Sequence, residues 1–526
     1  MPARPRGRST TAAAITVTLT MLAGCTQTTT GLPSSLTTPP EMASTKTTRT
    51  TDTTESTRPA SDSAEVAPPA EATTVLDAEP GAASAIATSA ALFRRAPVVL
   101  VATAAEDSVA ALATRLGAPV LLANDPHRTD ALRAELARLA PGAVLAVGAD
   151  AAQAAREPAG NVPVLTAAEG DPELPAGLPP TTPPRPVALT VLVATGRDDA
   201  AAVATAKAAG ARVVTVAGGD PRADPKAIAA LHDAAPDRIL ALGRGFGPTE
   251  RLRTRVDVAA GGAQLPGGGQ LALRGRRIVC LYGHPGVRSL GVLGEQGVAA
   301  SVARAKRMAA AYRRYSKVAV VPAFEIIATV AQGAPGPDGD FSGEASVAEL
   351  RPWVDAARKG GLYVVLDLQP GRADLTAQAR RYESLLRLPH VGLAVDPEWK
   401  LGPRQRPLGQ IGGIDTSELN RTSTWLAGLT TRNALPQKLF VIHQFRLTMI
   451  RHEANLNTTH DELSVLIHMD GQGSTAQKNS TWRSVVAARP GNLPLGWKNF
   501  YDEDHPMLTP SQTMAKRPTP VMISYQ

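Results

Sequence analysis

Residues 277–283 read RIVCLYG and residues 520–526 read PVMISYQ. Each is a short apolar run that ends in polar or aromatic groups. More runs of this kind lie between them. Strand-like stretches fall at 278–283, 317–324, 362–368, 391–396, 438–444, 463–469, 495–501 and 520–525. Short continuous runs of Val, Ile and Leu suit strands covered on both faces, as in a parallel sheet. Helical stretches separate most of them, such as VAASVARAKRMAAAYRRY (298–315) and SVAELRPWVDAARKGG (346–361). Eight strands in about 250 residues predict a (β/α)8 barrel, with PVMISYQ closing against RIVCLYG. The pattern weakens near the end, where almost no helix is legible before the eighth strand.

In such a barrel the active site lies at the C-terminal ends of the strands. Polar residues recur at that level of this chain: Tyr282 and His284, Glu325, Asp367 and Gln369, Asp396 and Glu398, His443 and Gln444, Asp470 and Gln472, and Lys498. One polar strand end means little, because carboxylates there also cap loops or pair with Arg and Lys. Repetition around the ring predicts an acidic pocket. The loop GAPGPDGDFSGE (333–344) is expected over its mouth, as a lid or a plain surface loop.

The fourth strand ends in GLAVDPEW (392–399). If the chain stays extended there, Asp396 and Glu398 point to one side, roughly 6–7 Å apart at Cα. Two carboxylates that close push each other's pKa apart, so one stays protonated while the other stays charged. Glycosidic bond cleavage needs that division of labour. Glu398 is the expected proton donor, with Asp396, Asp367 or Glu325 as stabiliser or nucleophile. Tyr282, His284, Gln369, Trp399, His443, Gln444, Asp470, Gln472 and Lys498 are the expected substrate-binding groups. Trp399, Trp425, Trp482 and Trp497 offer flat faces either for sugar rings or for packing.

GLAVDPEW also resembles the strand-four signature of chitinase-type (family 18) glycosidases, G-x-D-x-D-x-E followed by an aromatic. Ala394 stands at the first acidic position of that pattern. The resemblance implies Glu398 as general acid and Asp396 as a partner that supports the substrate's own acetamido group.

Upstream, residues 98–151 and 190–246 repeat one another. Val101-Ala102-Thr103 matches Val193-Ala194-Thr195, Gly117 matches Gly210, and VLAVG (144–148) matches ILALG (239–243). The offset drifts only from 92 (Val101 to Val193) to 95 (Ala140 to Ala235), as expected for an internal duplication. Each copy reads strand, helix, strand, helix, strand. This predicts a duplicated parallel α/β module over 85–262. The phrases VLVAT, LGAPVLL and VLAVG resemble the type 2 cell-wall-binding repeat of Gram-positive surface proteins. That resemblance implies noncovalent attachment to anionic wall polymers. The plain alternative is an α/β domain that packs on its neighbour. GGAQLPGGGQ (261–270) reads as a linker, since no basic residue and helix start follow it as a phosphate loop requires.

The N-terminus, MPARPRGRSTTAAAITVTLTMLAGC, has the layout of a secretory signal. Its apolar run of about 14 residues falls short of the ~20 that span a bilayer. LAGC (22–25) resembles the lipobox of bacterial lipoproteins, which implies cleavage before Cys25 and lipidation of its thiol. Residues 26–84 are mostly Thr, Ser, Pro, Ala and Glu and predict a disordered tether. With Cys25 lipidated, Cys280 is left without a partner and reads as a small core residue.

The net charge is +8, but the basic residues are dispersed and not interleaved with aromatics. That argues against nucleic acid and fits anionic wall polymers. His452-Glu453 is followed by His460, so no H-E-x-x-H zinc pair forms, and G-x-S-x-G is absent. No metal and no cofactor is expected. The chain thus reads as a monomeric, lipid-anchored, extracytoplasmic α/β protein: signal (1–25), tether (26–84), duplicated module (85–262), and a TIM-like (β/α)8 barrel (270–526). Its expected function is binding and hydrolysis of an envelope glycan. A noncatalytic glycan-binding protein and an inert envelope scaffold are the alternatives.

Overall fold

The computed structural model describes residues 63–170 and 173–526. The expected signal, the lipidation site Cys25 and the tether up to residue 62 lie outside the described residues. Residues 63–84 correct the tether boundary. Strand β1 (Thr73–Leu76) lies in a sheet, and a helix already begins at Ala82.

Two four-stranded parallel sheets follow. β2 (Val98–Ala102), β3 (Val120–Leu122), β4 (Ala143–Val147) and β5 (Val164–Ala167) form one, in the order β3-β2-β4-β5. β6 (Thr190–Ala194), β7 (Arg212–Val216) and β8 (Ile239–Leu242) build the same arrangement, β7-β6-β8. The fourth place of the second sheet, equivalent to β5, is taken by β1, whose Thr73 pairs in parallel with Ile239. A segment upstream of the first copy therefore completes the second. Residues 63–84 carry almost no large apolar side chains beyond Val66, Val75 and Leu76, yet four residues suffice when a partner edge supplies the hydrogen bonds.

The second half is a closed barrel. Its strands are β9 (Arg276–Gly283), β10 (Ala319–Ala331), β11 (Tyr363–Leu368), β12 (Val391–Val395), β13 (Lys438–His443), β14 (Leu463–Met469), β15 (Leu495–Asn499) and β16 (Met522–Tyr525). Each pairs in parallel with the next, and β16 pairs with β9, Leu281 opposite Tyr525. The fold is thus the expected α/β module followed by a TIM-like barrel. The helix before β16 is only Pro510–Met514, which explains its faint signal.

Side chains alternate along the strands. Outward residues such as Phe324, Leu366, Leu393, Ile442 and Trp497 pack against the helices. Inward residues Ile278, Cys280, Ala323, Val365, Ala394, Val441 and Leu466 fill the interior. Leu265 and Ala272 join that inner cluster, so the segment read as a linker packs against the barrel. The module is tied to the barrel by Asp461, which accepts from Arg222 Nη2 at 2.7 Å and from Arg255 Nη2 at 2.6 Å. None of residues 333–344 lines the cavity described below. The end of that loop, Ser342–Glu344, turns back and pairs antiparallel with β10. Among the described residues no helix is long and apolar enough to cross a membrane.

Candidate functional site

The inward alternation that fills the barrel continues for one more layer, and there it becomes polar. Two residues beyond Cys280, Ala323, Val365, Ala394 and Val441 stand Tyr282, Glu325, Asp367, Asp396 and His443. Leu466 is followed by His468 and Asp470, Gly496 by Lys498, and Met522 by Ser524. All of these polar side chains are buried. Gly496 has a specific reason: a Cβ there would collide with Nδ1 of the His468 ring. Only glycine leaves that ring room on the inward face of β15.

A hydrogen-bonded network forms the floor. His443 reaches Asp470 Oδ2 through Nδ1 and Glu325 Oε1 through Nε2, each at 3.0 Å. The Tyr282 hydroxyl donates to Asp367 Oδ2 at 2.8 Å. His468 Nε2 lies 2.6 Å from Ser524 Oγ. Above the floor opens a cavity of about 510 Å3.

Tyr282, Gln369, Asp396, Glu398, Trp399, Asp470, Gln472 and Lys498 line that cavity. Three expected site residues lie beneath it instead. Glu325, Asp367 and His443 are fully buried, so Glu325 and Asp367 do not face the cavity as nucleophiles. Two others lie elsewhere. His284 Nδ1 binds the Ile327 carbonyl at 2.8 Å and faces a separate groove. Gln444 donates to Glu453 Oε2 at 2.8 Å. Of the tryptophans, Trp399 lines the cavity, while Trp482 and Trp497 are buried edge to face between barrel and helices. Trp425 packs against the same outer core.

The strand geometry expected for GLAVDPEW also changes. β12 ends at Val395, and Asp396 caps a 3-10 turn over Pro397–Trp399, its side chain accepting from Glu398 N. Proline sets φ for a turn, so the chain leaves the sheet between the two acids. Glu398 still reaches the cavity, but from a turn.

Electrostatics divide the carboxyls into two sets. Burial, then the neighbouring Asp470, pushes Glu398 up to about 7. Burial, then Glu398, holds Asp396 well above the ordinary range, and burial raises Asp367 as well. Burial acts on Glu325 and Asp470 too, but the hydrogen bond and charge of His443 outweigh it and hold both below the ordinary range. Burial alone would keep His443 neutral. The charges of Asp367 and Asp470 and the bonds to Asp470 and Glu325 win, and the ring stays cationic well above its usual pKa. Burial drives His468 down to about 3, so that ring is neutral.

Asp367, Asp396 and His443 each bring one ligand atom within 4.8 Å of the others. Both His443 nitrogens already face carboxylates, however. An imidazolium donating on both sides has no lone pair for an ion. The set is a hydrogen-bond network in this arrangement.

Sequence reading missed His468, Ser524, Phe445 and Phe500. The first two share the inward parity of Leu466 and Met522, which was a usable signal. Phe445 and Phe500 line the cavity from just beyond strand ends, where no periodicity marks them.

The chain matches no protein-family model, no curated protein and no solved structure. The likenesses to wall-binding repeats, chitinase-type glycosidases and lipoproteins rest on the residues quoted for them.

Proposed function

We propose that the barrel binds and hydrolyses a glycan of the cell envelope, with Glu398 as proton donor and Asp470 as the ionised partner. The observation that carries this is the opposite displacement of two carboxyls lining one cavity: Glu398 raised to about 7 and Asp470 lowered. Pairs of acids pushed apart in this way mark acid and base roles. In the step, the Glu398 proton passes to the glycosidic oxygen as the bond from that oxygen to the anomeric carbon breaks. The Asp470 carboxylate stabilises the positive charge that develops on the sugar ring, and a water molecule then adds to the anomeric carbon and gives its proton to the Glu398 carboxylate, restoring the acid. Trp399, Phe445 and Phe500 supply apolar faces for the ring.

The envelope setting is part of the same proposal. The charged, apolar and LAGC segments support lipidation at Cys25 and a place outside the cytoplasm, anchored to the membrane. The module's repeat phrases and the +8 charge support a noncovalent hold on anionic wall polymers by a monomer that binds no nucleic acid.

The test is a turnover assay of the full chain, wild type and Glu398→Gln, on bacterial wall and chitin-type oligosaccharides, counting new reducing ends. Turnover that falls about 10²–10⁴-fold in the variant supports the glycosidase. Glycan binding without turnover in either form overturns catalysis in favour of a binding protein. Neither binding nor turnover overturns both.

A further inference from the structure

Buried lysines in this protein satisfy their ammonium groups. Lys438 donates to the Leu388 and Val391 carbonyls at 2.9 and 2.8 Å. Lys478 donates to the Lys498 carbonyl at 2.7 Å and pairs with Asp504. Lys498 breaks the rule. It is 2% exposed, and its ammonium lies 3.4 Å from the centroid of the Tyr282 ring and 5.3 Å from that of Phe500. Among the described residues that ammonium forms no hydrogen bond and no ion pair.

Removing an ammonium from water costs several kcal/mol unless acceptors surround it. Of the nearby acids, Asp470 and Glu325 each give one oxygen to His443 and Asp367 gives one to the Tyr282 hydroxyl, and the charge of Lys498 also acts on Glu398, but none of the four pairs with its ammonium. The remaining open side of Lys498 is the cavity, which it lines together with Arg446 and with the carboxyls of Asp396, Glu398, Asp470 and Glu503. Arg446 is exposed.

We infer that the cavity takes a glycan bearing a carboxylate, and that Lys498 binds that carboxylate. This rests on the reading of the barrel as a glycan site. A carboxylate fits better than a phosphate. Lys498 is a single buried cation and matches one negative charge, whereas a phosphate carries nearly two and is usually met by several donors. The ring face of Tyr282 stabilises the ammonium without neutralising it, so the charge stays available to a ligand.

The experiment is calorimetric titration of the full chain carrying Glu398→Gln, which blocks turnover during the measurement. The ligands are an oligoglucuronate, its carboxyl-reduced neutral counterpart, and inorganic phosphate as competitor. The oligoglucuronate is expected to bind about tenfold or more tightly than the neutral form, the scale of one charge-assisted hydrogen bond. Adding Lys498→Met should erase the difference, and Lys498→Arg should restore most of it. Equal binding of the acidic and neutral forms overturns the inference, and needs no Lys498 variant to fold. A preference that survives Lys498→Met also overturns it. Displacement of the oligoglucuronate by phosphate at similar concentration overturns the choice of carboxylate. Failure of catalysis is separable, because it shows as absent turnover in wild type while the acidic preference persists.

Discussion

His443 Nδ1 sits 3.0 Å from Asp470 Oδ2, and this contact joins the buried floor of the barrel to the cavity above it. His443 faces Glu325 on its other side at the same distance. A cation clamped between two acids keeps both ionised, so Asp470 offers the cavity a permanent negative charge.

Asp470→Asn keeps the shape and removes the charge. Turnover should fall about 10²-fold or more, with KM changed only a few-fold, because the lost interaction belongs to the transition state. The pKa of His443 should drop as well. NMR titration of the imidazole checks this, and an unchanged ring pKa would break the proposed coupling.

Lys438 allows a stability test far from the cavity. Burial lowers it from 10.5 to about 7. Below pH 7 it is protonated in both the folded and the unfolded chain, and the burial penalty is fully present. Between about 7 and 10.5 the unfolded chain holds the extra proton, so stability rises with pH. Lys438→Met should therefore be at least as stable as wild type at pH 6 and lose that advantage by pH 10. Denaturant melts at the two pH values decide it.

Gly496→Ala should destabilise the barrel by about 1–3 kcal/mol. The added methyl meets His468, and that ring cannot swing away without losing its bond to Ser524. A melting temperature equal to wild type would show that the ring has room.

Asp461 joins module and barrel through Arg222 and Arg255. It is partly exposed, so the loss in Asp461→Ala is about 1–2 kcal/mol, below that of a fully buried pair. Limited proteolysis should then cut within 261–270 faster than in wild type.

The strands were legible because a two-sided strand leaves a short apolar run and little else does. All eight barrel strands lie on the stretches read from sequence, with ends shifted by a few residues. The largest shift is at β10, which runs on to Ala331 where its apolar run blends into a polar loop. The ring of polar strand ends was legible for the same reason: period two carries Ala394 to Asp396 and Val441 to His443. Depth was not legible. Nothing local distinguishes Asp367, sealed under the floor, from Asp470, open to the cavity, because neighbouring strands decide which is covered. The turn at Pro397 was written in the residue itself and outranks the strand pattern before it. The exchange of β1 into the second sheet joins segments about 165 residues apart, and no windowed pattern reports such a pairing.

The most direct measurement is the pH dependence of kcat/KM on the best glycan of the panel, wild type beside Glu398→Gln. With Glu398 at about 7 the protonated acid is lost as pH rises through that value. The rate should hold steady in mildly acid solution, where Asp470 stays ionised, and fall about tenfold per unit above pH 7. Glu398→Gln should show neither the rate nor the limb. A rate that stays flat to pH 9, or one that persists in the glutamine variant, would contradict Glu398 as the proton donor.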